Sequence, residues 1–334
     1  MALTAGVLAV AGAIAFSTAL GPQPVSLRAA LAGVDPDASI VLGLRLPRAI
    51  VAAMVGAALA AAGAALQALL RNPLAEPFVL GVSGGAALGG STVLVVAAFA
   101  ARLGAGSGWL LGAPPVALGA VAGAAASTFL VFGLGRVGGR LVPEAALLVG
   151  IVFNAFVAGV ITLMKMLVPP EQASRLLYWL LGAVGYETLG TIAMGAVLML
   201  LAVGTLVALS ARLNVLTLAD DEAASLGVDV PRSRALVFLA ASGATGAAVA
   251  LAGMVGFVGL IVPHLVRGVL GPDHRRLVPA SALFGGAFLV LADALARLAF
   301  LPLGTEPPVG AVTAFLGGPF FLWLLRKQGR GDAR

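Results

Sequence analysis

Ala-Asp-Asp-Glu-Ala-Ala-Ser-Leu-Gly-Val-Asp-Val-Pro-Arg-Ser-Arg, residues 219–234, is the stretch on which the reading of this chain turns. Six charged side chains fall within these 16 residues, between long runs of Ala, Leu, Val and Gly. Asp220 or Asp221 is suited to cap a helix N-terminus, with Asp221 and Glu222 favourable in the first turn. Gly227 can close that helix in the left-handed conformation, and Pro231 stops the following residues from continuing it. The result is a helix of about two turns at most, too short to stand alone and too polar to enter a bilayer. A segment of this kind, held outside the membrane between two apolar spans, is built to be gripped by a partner.

The surroundings fix the class. The 334-residue chain is 60% hydrophobic and 10% charged, with a mean hydropathy of +1.08. A soluble domain carries about a quarter charged residues. These values predict an all-α, polytopic membrane protein with a single transmembrane domain over residues 1–334. A transmembrane helix needs about 20 apolar residues, so the length holds roughly ten spans. They are expected at about residues 2–20, 47–70, 78–101, 115–134, 144–168, 189–211, 235–252, 255–270, 277–296 and 309–325. Residues 102–115 form a connecting loop. Between the fifth and sixth spans, Leu176–Val184 is too short to cross and reads as a re-entrant or interfacial helix. The 45 glycines point to closely packed helices. Residues 2–20 lack a basic leader and read as a retained first span.

With ten spans both termini lie on one side. That side holds Arg71, Arg136, Arg140, Arg212, Arg232, Arg234, Arg267, Arg275, Arg276, Arg326, Lys327, Arg330 and Arg334, 13 of the 20 basic residues. The positive-inside rule then puts the termini and the 219–234 loop in the cytoplasm, and the net charge of +6 needs no nucleic-acid partner. A faint internal echo, Arg48-Ala49 with Arg234-Ala235 and Pro77 with Pro263, is what a duplicated half or mere low complexity would leave.

The absences narrow the function. No cysteine is present, which excludes disulfides and thiol chemistry. Lys165 precedes Met166 and Lys327 precedes Gln328, so no phosphate-binding Gly-Lys-Ser/Thr loop exists. His264 and His274 are the only histidines; no metal site is expected, and His264 reads as a packed helix-end residue. Polar or ionisable residues within the spans are few, with Asn154, Lys165, Asp293 and Arg297 the candidates, so an ion-coupled carrier is the lesser alternative. A conduit driven by something else fits better, and it is not an enzyme. Arg45, Arg48 and Arg297 fall on the outward side, against the charge rule. Snorkelling or lipid-phosphate contact would explain them, as would a docking surface for carboxylates, which the guanidinium fork suits.

The chain resembles the permease subunits of ABC importers for iron chelates, haem and cobalamin, over about residues 44–327. The resemblance rests on Leu44-Arg-Leu-Pro-Arg48, residues 67–81 (QALLRNPLAEPFVLG), residues 219–227, residues 256–264 (GFVGLIVPH), residues 291–298 (LADALARL) and residues 308–318 (PVGAVTAFLGG). It implies the type II importer fold in the inner membrane, as a homodimer with a path along its two-fold axis. Two cytoplasmic ATPase subunits, carrying the ATP and Mg, would drive it, and a periplasmic or surface-anchored binding protein would deliver the chelate. The resemblance assigns the coupling-helix role to residues 219–234, with Asp220, Asp221, Glu222, Ala223, Ser225, Leu226 and Gly227 meeting the ATPase. It assigns Arg45, Arg48 and Arg297 to docking of the binding protein. Asn72 and Leu74 fall near the cytoplasmic end of the path, where Asn72 equally fits a simple helix cap before Pro73. Pro143 and Glu144 occupy a neighbouring gate position where some relatives carry hydroxyl residues. The chelate itself has no legible signature.

Overall fold

Small residues inside and large ones outside organise this fold. The computed structural model describes residues 1–104, 113–138, 140–185 and 187–331; 105–112 of the connecting loop and 332–334 of the basic tail lie outside the described residues. The chain opens with α1 (Ala2–Ala19) and a short α2 (Leu27–Leu31) capped by Ser26. A π-helical stretch, Ser39–Arg45, then runs without a break into α3 (Leu46–Leu69). After a turn and a 3-10 segment at Pro77–Leu80 come α4 (Val82–Arg102), α5 (Ala113–Leu134) and α6 (Pro143–Leu167). Next are α7 (Pro170–Leu180), α8 (Leu189–Ala208), α9 (Ser210–Leu216) and α10 (Asp220–Ser225). The remainder is α11 (Val230–Ala252), α12 (Val258–Leu270), α13 (His274–Leu298), α14 (Phe300–Leu303) and α15 (Val309–Gly331). Strand pairing among the described residues is one two-rung ladder, β1 (Arg136–Val137) against β2 (Arg140–Leu141).

Eight of these helices are long and apolar enough to cross a membrane, and two shorter apolar ones, Val258–Leu270 and Val309–Leu324, complete the expected ten. Several boundaries shift by a few residues, α11 starting at Val230 rather than 235 and α4 at Val82 rather than 78, and two of the shifts have a visible backbone cause. The segment expected at Leu176–Val184 is α7, which starts earlier because Pro170 opens it and ends before Gly182, at φ 78°. The eighth span starts at Val258 rather than Val255, because Gly253 (φ 64°) and Phe257 (φ 67°) interrupt the helix.

The centre is α3, about 36 Å long by helix geometry and so long enough for a hydrocarbon core of about 30 Å. Ala58 through Leu69 are all buried, as are Ala244 through Ala252 of α11. Helices apolar on every side belong in the interior, and here the Ala and Gly content lets their backbones come together. A methyl group added at Gly56 would lie 2.2 Å from the Gly285 carbonyl oxygen on α13, and one at Gly63 1.9 Å from that of Gly259 on α12. By contrast α6 turns Leu148, Ile151, Val152, Phe156 and Leu163 outward. That arrangement suits lipid, where helix association depends on close packing rather than on water exclusion.

Candidate functional site

Two clusters of paired charged side chains mark the two ends of α3. At one end, α10 begins without the aspartate cap that its sequence suggests: Ala219 holds the N-cap position, and Asp220, Asp221 and Glu222 fill the first turn. The Asp220 carboxylate is already engaged by two arginines. Arg234, near the start of α11, reaches it with Nη1 on Oδ2 at 2.9 Å and Nη2 on Oδ1 at 2.7 Å. Arg71, just past α3, donates Nη2 to Oδ1 at 2.9 Å and also bonds the Leu216 and Leu218 carbonyls. Arg71 holds φ 48°, a left-handed backbone that costs a non-glycine residue about 1–3 kcal/mol and persists only where contacts impose it. The other end of α10 follows the sequence reading. Gly227, at φ 80°, closes the helix, with its N–H on Ala224 O and that of Val228 on Ala223 O, the paired bonds of a Schellman motif. Pro231 sits in the first turn of α11, whose cap is Asp229 accepting from Arg232 N at 3.0 Å.

The expected contact residues therefore divide. Asp220 turns inward and Ala223 is buried, whereas Asp221, Glu222, Ser225, Leu226 and Gly227 are exposed, Leu226 by 63%. A third tie reaches α13 through Asn214 of α9. Its Nδ2 donates to Asp273 Oδ1 at 2.7 Å, and its Oδ1 accepts from the His274 backbone N–H at 2.8 Å. The Asn214 and Arg275 N–H groups together hold the Asp273 carboxyl below the usual carboxylate range. A cavity of 640 Å³ lies beside this joint, lined by Gln67, Arg71, Arg267 and His274 among others.

Asn72 and Leu74 sit in the turn after Arg71, where Asn72 Oδ1 accepts from Leu74 N at 2.9 Å; Asn72 thus braces the turn rather than capping a helix. Pro143 and Glu144 open α6, Glu144 exposed in its first turn. Deeper in the bundle, two broken segments meet: the Glu76 carboxylate accepts the Phe257 N–H at the start of α12, and Asn154 Nδ2 donates to Phe78 O at 2.7 Å. The sequence reading did not single out Arg71 or Glu76; both lie inside its residue 67–81 motif.

At the opposite end stand Arg45, Arg48 and Arg297, expected on an outward docking surface. The structure buries them instead: they are 6%, 6% and 4% exposed. A guanidinium out of water must be paired, and each of these is engaged within the chain. Arg48 sets Nε 3.1 Å from both oxygens of Asp293 and Nη2 2.8 Å from Oδ1, and the same Nη2 bonds Glu306. Arg297 Nε lies 3.3 Å from Asp293 Oδ2, one helical turn on, while its Nη2 donates to Ser17 O at 2.9 Å. Arg45 bonds the Thr18, Ala19 and Gln23 carbonyls at the end of α1. Asp293 is fully buried between two guanidinium groups. Beside Glu306, which also receives Tyr178 Oη on its backbone carbonyl at 2.8 Å, a 610 Å³ cavity is lined by Arg48, Arg175, Trp179 and Glu187. His264 packs edge-on against Phe320, ring centres 6.1 Å apart.

Known proteins are similar to this chain over most of its length. The FecCD transport family profile matches residues 7–327. The cobalamin import system permease protein BtuC of Halobacterium salinarum is 37% identical, over 89% of this chain and 76% of its own. The hemin transport system permease protein HmuU of Yersinia pestis is 38% identical, over 86% and 84%. The Fe(3+) dicitrate permease protein FecD of Escherichia coli is 36% identical, over 95% and 96%. A solved inward-facing structure, assigned to the metal-chelate type of ABC transporter, superposes with a TM-score of 0.82 at 28% identity, covering 98% of both chains. With an all-α bundle of ten apolar helices and a polar joint at each end of its central helix, the chain belongs to the FecCD transport family.

Proposed function

We propose that this chain is the permease subunit of an ATP-driven importer for a metal chelate of the cobalamin, haem or ferric-chelate class. The observation that carries the reading is α10: an acidic and apolar face, Asp221, Glu222 and Leu226, open to solvent on a helix tied from behind to the core. A chain with no nucleotide-binding loop and such a face takes its drive from a partner that grips it. In this reading α10 lies in the cytoplasm, two copies of the chain enclose the path, and a cytoplasmic ATPase meets each α10. Asn72, Leu74, Pro143 and Glu144 narrow the path at that end.

A delivering protein docks at the opposite end by exchange. Its acidic group competes with Glu306 for Arg48 at the mouth of the 610 Å³ cavity. Arg45 and Arg297, turned onto the end of α1, hold that rim in place.

The test is reconstitution of the chain with its ATPase in proteoliposomes. Cobalamin, haemin and ferric chelates are then offered with the cognate binding protein, with and without ATP. Uptake of one class that requires both ATP and the binding protein is the expected result. Uptake driven by an ion gradient without the ATPase would overturn the reading in favour of a secondary carrier.

A further inference from the structure

We propose that Asp220 is a positioning residue that joins the coupling helix to the core, and that it is not part of the surface offered to the ATPase. This inference rests on the reading of α10 as the coupling helix.

The first observation is how little else holds α10. The helix has six residues, and Ala223 is its one buried side chain. One alanine gives almost no apolar anchorage, and so short a helix has no stability of its own. Without further ties, a force applied to its outer face would be absorbed by the flanking connections, residues 217–219 and 227–229.

The second observation is where the Asp220 carboxylate goes. Both its oxygens are occupied by Arg234, a two-pronged geometry that fixes orientation as well as distance. Oδ1 also takes Arg71. Arg234 belongs to α11 and Arg71 sits in the turn that ends α3, the two most deeply buried of the eight long apolar helices. A single carboxylate therefore links α10 to both central helices. Arg71 extends the joint with its bonds to Leu216 and Leu218, so the segment leading into α10 is fastened to α3 at successive points.

The third observation concerns what such a joint contributes. Asp220 and Arg71 are each more than a third exposed, where an ion pair adds little to stability, whereas Arg234 is buried and needs Asp220 as its counter-ion. Their value lies in geometry. The triad converts displacement of α10 into displacement of the inner ends of α3 and α11. Asp221 and Glu222, whose side chains make no such inward bond among the described residues, remain for the partner.

The test uses the complete complex of permease, ATPase and binding protein in proteoliposomes, and reads chelate transported per ATP hydrolysed. Asp220→Asn should lower that ratio by roughly tenfold, the size that coupled charged neighbours reach, while the complex still assembles and hydrolyses ATP. The exchanged pair Asp220→Arg with Arg234→Asp, combined with Arg71→Gln so that the new arginine meets no like charge, should recover a substantial part of the ratio. If Asp220→Asn fails to assemble, the exchanged pair decides: recovery of coupled transport supports the joint, and no recovery overturns it. A normal ratio in Asp220→Asn overturns it as well. Leu226→Asp separates the two claims, because it alters only the exposed face. If Leu226→Asp transports normally, the coupling-helix reading fails; if it loses the ATPase while Asp220→Asn stays coupled, only the joint fails.

Discussion

Arg234 lays both terminal guanidinium nitrogens on the carboxylate of Asp220, 14 residues back along the chain, at 2.7 and 2.9 Å. The contact closes the 219–234 segment into a loop with its acidic start pulled inward and its remaining acids outward. What the segment offers a partner is therefore set by rotation of a six-residue helix about one ionic pin.

Gly227 is the stop that keeps this helix short. Its φ of 80° is beyond the reach of proline, whose ring holds φ near −65°. Gly227→Pro, or deletion of Ala223–Leu226, is expected to abolish chelate transport while the complex still hydrolyses ATP. Parallel uptake and phosphate-release assays on proteoliposomes check it, and intact transport in both variants would count against α10 as the point of drive.

Asp293 lies between Arg48 and Arg297 with no exposure to solvent. Asp293→Asn leaves buried guanidinium charge without its counter-ion, a loss of about 3–5 kcal/mol. Glu306, partly open to water, should matter far less: Glu306→Gln is expected to cost about 1 kcal/mol or less. Denaturant unfolding of the purified subunit in detergent ranks the two. Glu306→Gln should also tighten binding-protein association, because it weakens the internal competitor for Arg48. An unchanged or weaker affinity in a binding titration would remove the exchange model.

Backbone contact at Gly63 leaves no room for a side chain. Gly63→Ala must move α12 away from α3 and is expected to destabilise the subunit by about 1–3 kcal/mol. Gly204 in α8 meets nothing within 4 Å, so Gly204→Ala should be neutral or stabilising by about 0.5–1 kcal/mol. Thermal unfolding in one detergent compares them directly.

The Asn214–Asp273 tie carries its own pH dependence. Hydrogen bonds hold the Asp273 carboxyl below its ordinary value. The folded state is therefore favoured above the unfolded carboxylate range of about 4, and that contribution disappears as pH falls through the lower folded value. Wild type should melt above Asp273→Asn at neutral pH, and the gap should close on acidification. A gap that is constant with pH would show that the tie does not depend on the charge.

Much of the fold is written in local composition. Apolar runs of the right length mark the ten helices, and Gly227 marks the end of α10, because both depend on neighbours along the chain. The sites were less legible. Arg48 meets Asp293 across 245 residues and Glu76 meets Phe257 across 181. In a sequence dominated by Ala, Leu and Gly no periodicity identifies which helices touch. Arg45, Arg48 and Arg297 stand out in the sequence by their sign, but a charge count carries no information on whether a guanidinium faces water or a buried aspartate. Asp220 shows the same limit on a smaller scale. A carboxylate at a helix start reads as a cap until two arginines from elsewhere in the chain claim it.

The glycine seam of α3 with α12 and α13 has a mechanical consequence. Where main chain rests on main chain, no side chain can change rotamer to let one helix slip past the other. These three helices must then travel as a single stiff plate. Bending is left to the irregular stretches that border them, residues 72–76 and 253–257, where Glu76 meets Phe257. Those two crease lines, and not the helices of the plate, set how far it can swing.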